Sequence, residues 1–271
     1  MKNTKVINIG SVASNSGSSS KGNQPKWYDD GFWYKADHMG YEGLSEAVVS
    51  ELIKKTNVSN FIDYDPIIII RSDKENVGCR CKNFKKPNET IITLERLFRA
   101  YNGQSLATEL LNYSEVKDKI KFTVDFVERH TGIKNFGEYL TAMLELDAFF
   151  LNEDRHTNNI AFIRDDDTDK FSLCPYFDFG LSLLSDTNDY PLDCDVYESM
   201  SRVKGKPFDN DFDLQVDAAE ELYSIQLKIK FNDADIIKTV EKYKDYYSKE
   251  AINRVTDILL ARKRKFNYLT I

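Results

Sequence analysis

Asn152-Glu153-Asp154-Arg155-His156-Thr157-Asn158-Asn159, followed downstream by Asp178-Phe179-Gly180, is the stretch that decides the fold expected of this chain. Asp154 and Asn159 stand five residues apart. A loop of that length lets a carboxylate reach an acceptor hydroxyl while an amide oxygen returns to a metal ion. Residues 159–163 predict a strand, 165–169 an acidic turn and 171–174 a returning strand, so the hairpin brings Asp178 back beside Asn159. Asp178 is then placed to hold Mg²⁺, a cation that prefers hard oxygen ligands. The acidic turn is not a calcium loop, because Lys170 occupies the glycine position of an EF-hand and Tyr176 its closing glutamate. It reads as a solvated hairpin tip.

The residues before this stretch support it. The spacing over 139–150 predicts a helix with Leu140, Met143, Leu144, Ala148 and Leu151 on its apolar stripe, buried enough to hold the next loop rigid. Near the start, a strand is expected over 5–12, then a small polar loop over 11–23, then a hairpin in which Asp29-Asp30-Gly31 joins 26–28 to 32–36. Ser16, Gly17, Ser18, Ser19, Ser20 and Lys21 in that loop are candidate phosphate contacts, since backbone N–H groups approach phosphate oxygens only where side chains are small. The loop has neither Walker spacing nor Gly-x-Gly-x-x-Gly. Lys35, in the aromatic strand Phe32-Trp33-Tyr34-Lys35-Ala36, must snorkel outward or meet an anion, and a phosphate is the anion expected. A helix over 43–55 carries Glu46 as its expected partner, with Glu42 and Glu51 as alternatives. Strands over 66–71 and 76–84 complete a five-stranded sheet, and a hinge is expected over 81–89.

Beyond the hinge the periodicity is mainly helical, over 93–101, 113–131, 216–224 and 233–266. Residues 186–197 are acidic and turn-rich, as befits an activation or substrate-binding loop, and 200–213 continue in that style. The expected division is a small β-rich N-lobe over 1–86, bearing the nucleotide loop, and a larger helical C-lobe over 87–271.

Composition sets outer limits. The 271 residues include 37 Lys and Arg against 44 Asp and Glu, a formal net charge of −7, which argues against general nucleic-acid binding. The basic run Ala261-Arg262-Lys263-Arg264-Lys265 reads as a solvated helix face. No apolar run reaches the roughly eighteen residues of a membrane span and no signal-peptide core follows Met1, so a cytoplasmic protein is expected. The four cysteines are too few for a disulfide framework, and Cys79-x-Cys81 lacks partners for zinc and is expected to pack on one strand face.

The order Asp154-Arg155-His156-x-x-Asn159 differs from the His-Arg-Asp of ordinary protein kinases and resembles the Asp-x-His-x-x-Asn loop of phosphoinositide-3-kinase-like and HipA-like kinases. The fuller resemblance is to compact HipA-related serine/threonine kinases, including the bacterial cell-translocating, proinflammatory group. Supporting it are the Ser/Gly loop, Phe32-Trp33-Tyr34-Lys35, Tyr41-Glu42-Gly43-Leu44-Ser45-Glu46, Lys82-Asn83-Phe84 and Lys206-Pro207-Phe208. The resemblance implies a bilobal, protein-kinase-like α+β fold that uses ATP and Mg²⁺ to phosphorylate a protein serine or threonine. It implies Asp154 as catalytic base, His156 in its support, Asn159 and Asp178 as Mg²⁺ ligands, Lys35 as phosphate clamp and Glu46 as its partner, and it raises an antitoxin-like partner. Asn158 departs from the pattern, standing where HipA proteins usually carry lysine, and the chain is shorter than full HipA. Ser14, Ser16, Ser18, Ser19 and Ser20 are candidate autophosphorylation sites, where added charge would expel the loop from the phosphates. Two rival readings are a small-molecule or lipid phosphotransferase and a nucleotide-binding pseudokinase.

Overall fold

The computed structural model describes residues 4–8, 24–71 and 74–271. The candidate phosphate-loop residues Ser14, Ser16, Gly17, Ser18, Ser19, Ser20 and Lys21 lie outside the described residues, as do the autophosphorylation sites among them.

Strands β1 (Val6–Asn8), β2 (Lys26–Asp29), β3 (Phe32–Ala36), β4 (Asp65–Arg71) and β5 (Lys74–Lys82) form a five-stranded sheet in the order β1-β4-β5-β3-β2. The β2–β3 hairpin turns on Asp30 and Gly31, both at positive φ (43° and 78°), the backbone a tight hairpin demands. Its register sets Lys26 directly across from Lys35. Helix α1 (Glu42–Ile53) covers the sheet, and all its residues but Glu51 are buried. Two glycines set this approach. A Cβ on Gly78 of β5 would lie 2.0 Å from the Lys35 carbonyl oxygen, and one on Gly43 would lie 2.6 Å from the Gly78 backbone. Cys79 and Cys81 are buried beside Ile62 and Tyr64, which makes them packing residues.

The rest of the chain is mainly helical around one large core. Its elements are β6 (Glu89–Thr93), α2 (Leu94–Asn102), α3 (Leu106–Glu109), α4 (Val116–Thr131), α5 (Phe136–Phe150), β7 (Ala161–Asp165), β8 (Phe171–Leu173), α6 (Val196–Arg202), α7 (Phe212–Tyr223), α8 (Asp233–Glu241) and α9 (Lys249–Lys265). Central to it is α5, buried on every side apart from Glu138. It ends at Leu151, whose left-handed φ of 55° breaks the helix and turns the chain into the 152–159 loop.

Four local expectations need correction. Thr90-Ile91-Ile92-Thr93 belongs to β6, because its β-branched residues pair with β7 in a second sheet of order β6-β7-β8. Residues 196–202 form α6, capped by the Asp195 carboxylate, inside the stretch expected to be irregular. The expected helix over 233–266 is two helices, because Ser248 caps a fresh start at α9. The basic run at its end is not one solvated face: Arg262 is buried.

Candidate active site

The site lies where α1, the first sheet and the loops after α5 and β8 converge. Lys35 Nζ reaches Glu46 Oε1 at 2.5 Å and Asp178 Oδ1 at 2.8 Å. Glu46 is the only one of the three candidate glutamates so placed: Glu42 accepts hydrogen bonds from the backbone of His38, Met39 and Gly40, and Glu51 pairs with Lys54 and Lys242. The other oxygen of Glu46 accepts the Phe179 N–H at 3.0 Å, so α1 holds the lysine and the Asp-Phe-Gly segment together. Ser45 Oγ strengthens that join by donating to the Phe179 carbonyl at 2.8 Å.

Two carboxylates share one ammonium here, and the titration directions follow. Burial works against the charged Lys35, but Asp178 and Glu46 more than reverse it and hold the lysine well above its ordinary value. Burial raises Glu46, with Lys35 opposing and Asp178 adding to the rise. Asp178 remains ionised, because Lys35 and Lys26 overcome the cost of burying it. The cluster has a formal charge of −1, the sign that suits a cation. Asp178 also sits at φ 63°, a left-handed conformation that costs an L-residue about 1–2 kcal/mol and here aims its carboxylate at Lys35.

The 152–159 loop is fixed from beneath. Asp147 of α5 grips Arg155 at 2.8 and 3.0 Å and also accepts from Asn152 Nδ2 at 2.7 Å. Arg155 Nη1 donates to the carbonyls of Asn159 and Phe177, both at 2.9 Å, tying the loop to the segment that carries Asp178. Its guanidinium also lies over the Phe179 ring, 4.9 Å from the centroid. Asn159 Nδ2 donates to the Asp154 carbonyl at 2.9 Å, so its amide oxygen is the atom left for a cation. Asp154 is buried, and its Oδ1 lies 3.2 Å from Lys206 Nζ. His156 Nε2 is 3.8 Å from Asp154 Oδ2, beyond hydrogen-bond reach, while its Nδ1 accepts the Asn158 N–H at 3.2 Å.

Above these groups a cleft of about 300 Å³ is walled by Trp33, Tyr64, Phe84, Ile91 and Phe177, with Lys35 and Asp178 at its inner end. The slot is mainly apolar with a few polar groups, the usual make-up of a small-molecule site. A second, small concavity between Asp154 and Asp178 adjoins Gln24 and Lys26. The Gln24 amide nitrogen is buried there without a hydrogen-bond partner among the described residues. The donors fit Mg²⁺: one carboxylate, one amide oxygen and local negative charge.

Sequence reasoning missed Lys26, Asp147, Arg155 and the role of Lys206. Lys26 was readable from the hairpin register, and Asp147 from its place as a charged residue at the end of an apolar helix. Lys206 stood in the Lys206-Pro207-Phe208 segment, but nothing local tied it to Asp154, which it meets from 52 residues away.

The fold is the α+β architecture of kinases: a curled sheet with one helix packed on it, and a mainly helical larger part. Within that class the fold is the HipA-like one. The structure is similar to that of a Helicobacter pylori proinflammatory kinase, CtkA, with a TM-score of 0.68 and 16% identity over 97% of this chain and 96% of that one. It is also similar to HipA of a Shewanella oneidensis toxin–antitoxin system, solved with HipB and operator DNA, with a TM-score of 0.50 and 12% identity over 93% of this chain and 66% of that one. No family model matches the sequence. No curated protein matches it either. Among the described residues, no helix is long and apolar enough to cross a membrane.

Proposed function

We propose that this protein is a phosphotransferase that moves the γ-phosphoryl group of ATP to a serine or threonine hydroxyl of a protein. The observation that carries the reading is the joining of Lys35, Glu46 and Asp178 into one largely buried network, with Asp154 sharing a concavity with Asp178 and Arg155 tying the Asn159 carbonyl to the segment that carries Asp178. A phosphoryl-transfer site needs little else from a protein than positioning and charge neutralisation, and these residues supply both.

Lys35, anchored by Glu46, would hold the phosphate chain, with Lys26 beside it on the neighbouring strand. Asp178 and Asn159 would hold Mg²⁺, which when bound neutralises charge on the phosphate oxygens. Asp154 would accept the proton of the acceptor hydroxyl as that oxygen bonds to phosphorus and the bond to the ADP oxygen breaks. Lys206, at 3.2 Å from Asp154, would place a positive charge beside the transferring group, a charge that Asn158 cannot provide. The buried Asp147–Arg155 pair would keep Asp154, Asn159 and Asp178 in mutual register.

The test is incubation of the purified protein with γ-labelled MgATP and a proteome extract, followed by phosphoamino-acid identification. Label on protein phosphoserine or phosphothreonine supports the reading. Label confined to small molecules or lipids would move the protein to the rival class of phosphotransferases.

A further inference from the structure

A groove of about 960 Å³ lies away from the nucleotide cleft, between α6, residues 203–213 and the last turns of α9. The chain connects it to the candidate active site at two places. Leu151 on its wall is the residue before the 152–159 loop, and Lys204 lies two residues before Lys206, which reaches Asp154.

Arg262 is the unusual member of its lining. Only 8% of this residue is exposed; its Nη2 donates to the Ala148 carbonyl at 2.6 Å, and the guanidinium lies over the Phe266 ring. Its Nε is buried without a hydrogen-bond partner, and no carboxylate among the described residues comes within ion-pair distance. Burial lowers its pKa to about 10, with Asp213 opposing. A buried guanidinium without a counter-ion is costly, and a planar carboxylate matches its geometry. Lys204 and Arg264 also line the groove and have no carboxylate partner among the described residues. Three acids share the lining, Asp209 accepting from the Asp211 N–H, Asp211 from the Asp213 N–H and Asp213 pairing with Lys265 at 2.5 Å, but the cations Arg202, Lys204, Arg262, Arg264 and Lys265 outnumber them.

We propose that this groove docks an acidic segment of the polypeptide acceptor, with one Asp or Glu side chain received by Arg262 and its neighbours by Lys204 and Arg264. The groove is open to solvent rather than enclosed, as an extended chain requires, and its excess cations complement such a segment. Leu151 and Lys204 join its wall through the chain to the loops that carry Asp154 and Lys206. The inference rests on the protein-phosphotransferase reading for the word acceptor, but docking itself requires no nucleotide.

The experiment is therefore nucleotide-free: fluorescence anisotropy of a labelled Glu-rich twelve-residue peptide with the full chain, beside its Gln-substituted twin. The acidic peptide should bind, and the neutral twin should not. Lys204→Glu with Arg264→Glu should weaken binding by about 10-fold, and added salt should do the same. Arg262→Met should also weaken binding; the exposed double variant keeps the test informative if that buried change impairs folding. Labelled ATP turnover without peptide should be unchanged in Lys204→Glu/Arg264→Glu, which separates a docking failure from a failure of phosphotransfer. Equal binding of both peptides, or indifference to the charge reversal, would overturn the proposal. Displacement of the acidic peptide by millimolar inorganic phosphate, with equal displacement from the double variant, would also overturn it.

Discussion

Asp147 and Arg155 form a bidentate ion pair, with bonds of 2.8 and 3.0 Å, in which neither side chain has appreciable contact with solvent. Because Arg155 also donates to the carbonyls of Asn159 and Phe177, this pair connects the central helix to both segments of the candidate site. Removing one partner leaves an uncompensated buried charge, so Arg155→Met should destabilise the protein by about 3–5 kcal/mol in urea unfolding. Adding Asp147→Leu should recover much of that stability while phosphotransfer stays lost. Recovery of activity along with stability would show that the pair does not position the loop.

Lys206 offers a different signature. Its ammonium touches Asp154 but does not line the cleft walled by Trp33, Phe84 and Ile91. Lys206→Met should lower kcat by about 100-fold while leaving KM for ATP within a few-fold, the pattern of a group that acts on the chemical step. A rise in KM for ATP at constant kcat would place Lys206 in nucleotide binding instead.

Two glycines make opposite predictions. Gly78→Ala would press a methyl group against the Lys35 carbonyl at 2.0 Å, so it should lower both Tm and the Tm gain from MgATP. Gly180, despite closing the Asp-Phe-Gly run, is not at positive φ and has 3.6 Å of room at its nearest neighbours. Gly180→Ala should therefore leave Tm and nucleotide response close to wild type, as thermal scans with and without MgATP would reveal.

Glu145 gives the fold a pH dependence of its own. Burial pushes its carboxyl from 4.5 up to about 8, although the N–H groups of Gln226 and Leu227 donate to it. A raised carboxyl pKa means the folded state binds the proton more tightly. Its contribution is therefore complete below about pH 4.5, declines as pH rises to about 8, and is gone above that. Urea midpoints should fall across this window in the wild type and fall less in Glu145→Gln. Identical slopes would refute the assignment.

The fold class was legible because its signals are local. Asp154-x-x-x-x-Asn159 and Asp178-Phe179-Gly180 stand on either side of one hairpin, and the Asp-Asp-Gly turn announces the strand that bears Lys35. What escaped depends on contacts distant in sequence. β6 is a strand because β7 lies beside it, Lys206 arrives from a loop anchored by Lys119 and Gln215, and Arg262 is buried because α9 packs on α5. A periodicity argument sees only one segment at a time, so Arg262 within a basic run looks solvated. Nor does sequence spacing reveal which of Glu42, Glu46 and Glu51 meets Lys35; the close approach at Gly43 and Gly78 decides that.

The central claim is that Asp154 serves as base in transfer of phosphate from ATP to a protein hydroxyl. The direct measurement compares wild type with Asp154→Asn, which keeps the side-chain shape, for the rate at which labelled γ-phosphate enters protein serine and threonine. With Tm and MgATP binding matched, the variant should be slower by about 100- to 10,000-fold. Equal rates, or no transfer above background by either protein, would contradict the account.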